Sequence, residues 1–319
     1  MVNVDCVVFV PTFNQESTIE KCIANIVSQK TKYNFQIVII DDCSEDNTLR
    51  KVEKFKKYQN IYIYKGNRNT KSFLWTKAYE EFKSDYFMIC EGDDYWTSET
   101  MIENSLNFLK KNPEYVGCSR YTKMLDKNKK LIEVIPDQKK NIENFTLNDY
   151  LDQKLYVHTS SMCWKRVFKN KLPKIFFFSK LAGDVFLNCL HLQFGKMKVL
   201  NEEGSVYNVT ENGMATSNSD SDNFYLQIIY FNQIYYLMKI KNMYFQAKTL
   251  RLIWFYKKNF KKKLPLLLIF LIIFIVLRLN FLKPMIYLIK AKSFPYYNYF
   301  KLKNIRTYSY NLSEMNKSV

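Results

Sequence analysis

The first 110 residues repeat one pattern: a short apolar run, an abrupt polar stop, then a stretch with apolar residues at helical spacing. The runs are Cys6-Val7-Val8-Phe9-Val10, Ile37-Val38-Ile39-Ile40, residues 61–64 and Tyr86-Phe87-Met88-Ile89. Continuous rather than alternating apolar runs of this length are what a parallel sheet, covered on both faces, needs. Between them, Ile19, Cys22, Ile23, Ile26 and Val27 form one stripe of a helix, Leu49, Val52 and Phe55 a second, and Leu74, Trp75, Ala78, Tyr79 and Phe82 a third. Ser44 or Asp46 is placed to cap the second. A further helix is expected at 101–110. This βαβαβαβ alternation predicts an α/β fold with a doubly wound, mostly parallel, Rossmann-like sheet. Ligands of such sheets bind outside the carboxyl ends of the strands, near a switch in strand order.

Beyond residue 110 the pattern loosens. Strands are expected at 115–118 and 130–135, followed by Ser160-Ser161-Met162-Cys163-Trp164, the aromatic Ile175-Phe176-Phe177-Phe178, a helix-like stretch from Gly183 to Asn188, and a turn-rich segment at 207–218. From residue 223 the composition changes. Residues 1–222 carry 31 Lys/Arg and 29 Asp/Glu, whereas 223–319 carry 17 Lys/Arg, the single acid Glu314 and no glycine. Two regions are therefore expected, a catalytic domain at 1–222 and a basic, aromatic, α-helical tail at 223–319.

Within the tail, 264–277 holds 14 residues without charge, about 21 Å as a helix and short of the roughly 20 residues of a clean span. Lysines flank it on both sides, which suits a peripheral or monotopic segment on an anionic, cytoplasmic membrane face better than a crossing. A span reaching Leu282 with Arg278 snorkelling is the alternative. Nucleic-acid binding is disfavoured, because stacking platforms sit on sheets in polar surroundings rather than beside a long greasy run. Seven cysteines without C-x-x-C spacing read as buried free thiols in a reducing compartment. The amino terminus lacks the charged, apolar and small-residue order of a leader, so the catalytic part is expected in the cytoplasm.

The chemistry gathers where the apolar runs stop. Cys90-Glu91-Gly92-Asp93-Asp94-Tyr95-Trp96 puts three carboxylates into four residues. A lone Asp-Asp pair is usually a solvated turn. Here Pro11-Thr12-Phe13-Asn14-Gln15-Glu16 and Asp41-Asp42-Cys43-Ser44-Glu45-Asp46 end neighbouring runs in the same way, so the clusters can converge on one ligand. Mg²⁺ or Mn²⁺ needs one or two protein carboxylates when substrate phosphates complete its shell.

Taken in order, these motifs resemble glycosyltransferase family 2, the inverting nucleotide-sugar transferases of GT-A fold, in a branch used for surface polysaccharides. Val10 to Glu16 resembles the family's P-T-Y-N-E-E entry, and Ile39 to Asp46 its V-D-D-G-S-x-D, with Cys43 where glycine is usual. Glu91 to Trp96, then Phe108-Leu109 and Asn112-Pro113, complete the likeness over roughly residues 4–217. The resemblance implies that Asp42 binds the nucleobase with Thr12 and Glu16 on the base and ribose side. It further implies that Asp93 touches ribose or supports the metal shell, that Asp94 ligates Mn²⁺ or Mg²⁺, and that Asp184 is the general base. On the residues alone, Asp184 reads equally as a helix cap.

Arg68 and Lys71 could contact phosphate, although a basic loop is more often simply solvated. Two features depart from the family. Tyr207-Asn208-Val209-Thr210 stands where the branch often has Tyr-Arg-x-His, and Gly66-Asn67-Arg68-Asn69-Thr70 replaces a glycine-containing loop. His158 and His191 are expected to be structural, with His158 a weak candidate for the acceptor site. The implied activity is inverting transfer from a nucleotide-diphosphate donor, a UDP-sugar, to a hydroxyl of a lipid-linked or growing glycan at the cytoplasmic membrane face. A nucleotidyltransferase on a similar sheet, or a silent membrane adaptor, are the alternatives; the first lacks its glycine-rich phosphate loop after the first strand.

Overall fold

The computed structural model describes residues 4–70, 74–151, 154–173, 176, 183–209 and 307–312. Its core is four parallel strands, β1 (Cys6–Thr12), β2 (Phe35–Asp41), β3 (Ile61–Gly66) and β4 (Tyr86–Ile89), side by side in the order β3-β2-β1-β4. Register pairs Val10 with Ile39 and Cys6 with Tyr86. The chain thus runs outward from β1 through β2 to β3 and returns to the other side of β1 for β4. That reversal is a topological switch point, and it opens a crevice at the carboxyl ends of β1 and β4.

Helices α1 (Ile19–Val27), α2 (Thr48–Val52) and α3 (Trp75–Glu81) make the crossovers. The stripe read from the sequence is the buried face of α1, where Ile19, Cys22, Ile23 and Ile26 have no exposed surface. The second helix is shorter than its spacing predicts and tightens to a 3₁₀ turn at Glu53–Phe55. Its start is held by Asp46 rather than Ser44, since Asp46 Oδ1 accepts from the Thr48 N–H at 2.9 Å.

The remaining elements are β5 (Tyr95–Trp96), α4 (Met101–Lys111), β6 (Tyr115–Leu125), β7 (Leu131–Ile135), β8 (Asn144–Phe145), α5 (Leu147–Leu151), β9 (Cys163–Lys165), α6 (Gly183–His191), β10 (Lys196–Asn208) and β11 (Thr307–Asn311). One sheet holds all the strands among the described residues, in the order β11-β3-β2-β1-β4-β9-β6-β10-β5, with β7 on β6 and β8 on β10. The expectation of a mostly parallel sheet is correct for the four core strands and needs correction beyond them. There β9 runs antiparallel to β4 and β6, β7 to β6, and β5 and β8 to β10, while β10 is parallel to β6. The sheet is mixed because the helical crossovers that enforce parallel pairing stop after α4, and a tight turn such as β6–β7 permits only antiparallel neighbours.

The expected helical tail also needs correction at one place. Residues 307–311 form an antiparallel edge strand on β3. Thr-Tyr-Ser-Tyr is a run of strand-forming residues, and β3 would otherwise present an open edge. Asn311 Nδ2 donates to the Gln59 carbonyl at 2.6 Å, and Leu312 is buried in the main core. Among the described residues, no helix is long and apolar enough to cross a membrane. The expected boundary at 222 and the apolar run at 264–277 lie outside the described residues. All seven cysteines are free, and only Cys43 is not buried.

The chain divides into two compact units, one of residues 1–172, 190–210 and 301–319, the other of 173–189 and 211–300. The whole sheet belongs to the first. In the second, the rings of Phe176 and Phe186 lie 6.1 Å apart.

Candidate active site

The β1–β4 pairing continues past the end of β4. Cys90 N–H donates to the Phe9 carbonyl at 2.9 Å and Gly92 N–H to the Pro11 carbonyl at 3.0 Å. The ladder therefore carries Glu91 to Asp94 to the end of β1 before a turn closed by Asp94 N–H on the Glu91 carbonyl. Gly92 leaves room for the Gln15 and Thr12 side chains. A Cβ there would stand 2.3 Å from Gln15 Oε1 and 2.9 Å from Thr12 Oγ1. The turn brings one carboxylate oxygen each from Glu91, Asp93 and Asp94 within 4.8 Å of one another.

Asp94 is buried and held from two sides. Its Oδ2 accepts from the Ser160 hydroxyl at 2.5 Å, and its Oδ1 from the Asn208 N–H at 3.2 Å. Ser160 is itself fixed. Its Oγ accepts from Glu91 N–H, its carbonyl accepts from the Trp96 indole N–H at 2.7 Å, and its own N–H donates to His158 Nδ1. His158 Nδ1 lies 3.7 Å from Asp94 Oδ2, and the ring stacks on Tyr207 with centroids 4.4 Å apart. Burial pushes the imidazole down to about 4, which disfavours an ion pair with Asp94. Among the described residues, Asp93 Oδ1 is buried without a hydrogen-bond partner.

Burial, then repulsion from Asp93 and Glu91, pushes the Asp94 carboxyl well above its usual range, and burial raises Asp93 as well. Crowded carboxylates of this kind favour a bound cation, which relieves both desolvation and repulsion. In an octahedral shell of 2.0–2.1 Å, ligand atoms stand about 2.9 Å apart when adjacent and about 4.2 Å when opposite, separations that fall inside the 4.8 Å within which these oxygens lie. The residues thus fit a hard divalent ion, and the orphaned Asp93 oxygen is a ready ligand atom.

The ends of β1 and β2 are laced together. Thr12 Oγ1 donates to Gln15 Oε1 at 2.8 Å, Gln15 N–H to Thr48 Oγ1 at 2.8 Å, and Glu16 N–H to Asp46 Oδ2 at 3.0 Å. Glu16 Oε2 in turn accepts from Asn47 N–H at 2.9 Å. Asp42 is buried, and its Oδ1 accepts both the N–H and the hydroxyl of Thr70 at 2.8 Å. The loop after β3 therefore closes over the end of β2. Cys43 turns the chain with φ of 73°. Arg68 is exposed; Lys71 lies outside the described residues.

Thr12, Glu16, Asp42, Asp93 and Asp94 thus all stand at the carboxyl ends of β1, β2 and β4. Asp184 is an acidic residue in the first turn of α6, the sign a helix start favours, and it belongs to the second compact unit. Thr210 lies outside the described residues. His191 is core, packed on Phe87, Trp164 and Phe168, whereas His158 sits at the carboxylates. Ser160 and Asn208 are the residues that motif reading passes over. They follow Asp94 by 66 and 114 residues, and a serine or asparagine at such a distance gives no local signal.

The family model described as Glycosyl transferase family 2 matches residues 7–171. The poly(ribitol-phosphate) beta-N-acetylglucosaminyltransferase TarP of Staphylococcus aureus is 25% identical over 238 residues, 72% of this chain and 70% of that protein. Other curated relatives align over less of their length; for those of Mycobacterium the match spans 32% of the relative. In fold, the chain is similar to S. aureus TarS 1-349 in complex with UDP, with a TM-score of 0.57 at 17% identity over 82% of this chain and 76% of that one. It is also similar to the mannosyltransferase PcManGT from Pyrobaculum calidifontis in complex with GDP-Man and Mn²⁺, with a TM-score of 0.50 at 14% identity over 79% and 65%.

Proposed function

The chain belongs to glycosyl transferase family 2, in its surface-polysaccharide branch and with its GT-A fold, and from that premise we propose an inverting transferase that moves a sugar from a UDP-sugar to a hydroxyl of a lipid-linked or growing glycan. The observation that carries this reading is the gathering of Glu91, Asp93 and Asp94 within 4.8 Å at the switch point of the sheet. TarS, a structural neighbour, is a complex with UDP-GlcNAc in one structure and with UDP in another, which favours uridine over other bases.

In this reading Asp42, with Thr12 and Glu16 beside it, receives the base and ribose. A carboxylate there accepts from the uracil ring N–H, and the Thr70 bonds to Oδ1 keep the side chain from rotating away. Asp94, Asp93 and Glu91 would hold Mn²⁺ or Mg²⁺. When bound, the ion acts as a Lewis acid toward the charge that builds on the diphosphate as it leaves. Ser160 and Asn208 orient Asp94, so little reorganisation is needed when donor enters. Asp184 takes the proton from the acceptor hydroxyl as its oxygen bonds to the anomeric carbon and the bond to the diphosphate breaks on the opposite face. The basic composition of 223–319 and the uncharged run at 264–277 support a peripheral or monotopic position on an anionic, cytoplasmic membrane face, where a lipid-linked acceptor would be held.

Calorimetric titration of the detergent-solubilised chain with UDP, GDP and dTDP, with and without Mn²⁺, tests the donor site. Metal-dependent binding of UDP that is lost in Asp94→Ala is expected; binding of none of the three would end the nucleotide-sugar reading. Asp184→Asn separates an enzyme from a silent adaptor. It should keep UDP binding and lose at least about a hundredfold in turnover, the usual scale of a general base.

A further inference from the structure

The hairpin between β6 and β7 delivers a lysine to the carboxylate site. Asp126 Oδ1 accepts from the N–H groups of Asn128 and Lys130, both at 2.8 Å, while Lys129 N–H donates to the Asp126 carbonyl at 2.9 Å. This tight turn holds Lys129 in the left-handed region, with φ of 61°, a conformation that a lysine adopts only where its surroundings impose it. Lys129 Nζ donates to Asn208 Oδ1 at 2.9 Å. Through its other atoms, Asn208 donates to the Asp93 carbonyl at 2.6 Å and to Asp94 Oδ1 at 3.2 Å. A single residue therefore links an ammonium group to the candidate metal site: the Asn208 side-chain amide reaches the Asp93 carbonyl, and its backbone N–H reaches the Asp94 carboxylate.

The other lysines on these strands end on carboxylates. Lys123 meets Glu203 at 2.7 Å, Lys198 meets Glu143 at 2.6 Å, and Lys196 meets Glu114 at 3.8 Å. Lys129 makes no ion pair among the described residues and rests on a neutral amide. An ammonium has three donors, so two remain after the bond to Asn208. Charge supplies the second half of the argument. Three carboxylates outweigh one divalent ion, and a diphosphate approaching that site meets residual negative charge unless another cation adjoins it.

We propose that Lys129 is a diphosphate-binding residue: its ammonium, aimed by the Asp126 turn and anchored on Asn208, contacts the phosphates of the donor beside the metal held by Glu91, Asp93 and Asp94. This inference rests on the nucleotide-sugar reading above. It assigns the β6–β7 hairpin a part in donor binding that none of the strand-end motifs contains.

The test uses the full chain with two measurements. Calorimetry gives the affinity for UDP and for GDP at saturating Mn²⁺, and electron paramagnetic resonance gives the affinity for Mn²⁺ alone. Lys129→Ala should bind the diphosphate about tenfold more weakly, as loss of one charge-assisted hydrogen bond implies, with Mn²⁺ affinity unchanged. Lys129→Arg should stay within about threefold of the parent, since the charge and the donors persist. Unchanged diphosphate affinity in Lys129→Ala would overturn the inference and leave the donor site standing. Parallel weakening of Mn²⁺ and diphosphate would also overturn it, because Lys129 would then be only a brace for Asn208. If the parent protein binds neither diphosphate, the nucleotide-sugar reading falls and this inference with it.

Discussion

Cys43 shares a left-handed backbone with Asn14 and Lys129, but it alone of the three stands where the family motif has glycine. Its φ of 73° lies in the left-handed region, which disfavours an L-residue by about 1–2 kcal/mol and which glycine enters freely. The motif it interrupts ordinarily has glycine there, so the departure noticed in the sequence is also a point of strain in the fold. Cys43→Gly is expected to stabilise the chain by about 1 kcal/mol, the part of that penalty left after glycine's greater chain entropy, read as a rise in the midpoint of urea unfolding. No rise would mean that the cysteine side chain makes compensating contacts. The acidic run at 91–94 was legible because its residues adjoin in sequence. Ser160 was not, and His158 only as a weak acceptor-site candidate, because what makes them matter is a 2.5 Å bond and a 3.7 Å approach to Asp94 across strands that no local pattern pairs.

Elements were read well where a period was strong and badly where the chain merely completes a neighbour. The stripe of α1 and the four core strands follow from apolar spacing, since each must bury its own surface. The edge strand β11 does not, because its apolar neighbours in sequence point to helix and only the open edge of β3 selects a strand. Leu312, fully buried just after that strand, should pin it. Leu312→Ala is expected to cost about 2–4 kcal/mol by cavity formation, and hydrogen exchange should show β3 amides losing protection before those of β1. Equal loss across the sheet would mean that β11 is not a separable edge.

The charge of the whole chain, +18 in total, is carried almost entirely by residues 223–319. A surface of that sign should bind vesicles of anionic phospholipid and ignore zwitterionic ones, and about 0.5 M salt should weaken the binding by shortening the screening length. Binding insensitive to both headgroup and salt would instead favour apolar insertion through 264–277. Composition and period alone carried the α/β class, the order of the first four strands and their helices, the strand-end carboxylates and the charge asymmetry, because each reflects residues close together in the chain or sums over it. Folding had to supply the mixed half of the sheet, the Ser160 and Asn208 bonds that orient Asp94, the approach of Lys129 and the closure of β3 by β11. All of these are contacts between residues tens to hundreds of positions apart, and strand pairing, which the sequence does not encode locally, is what brings them together.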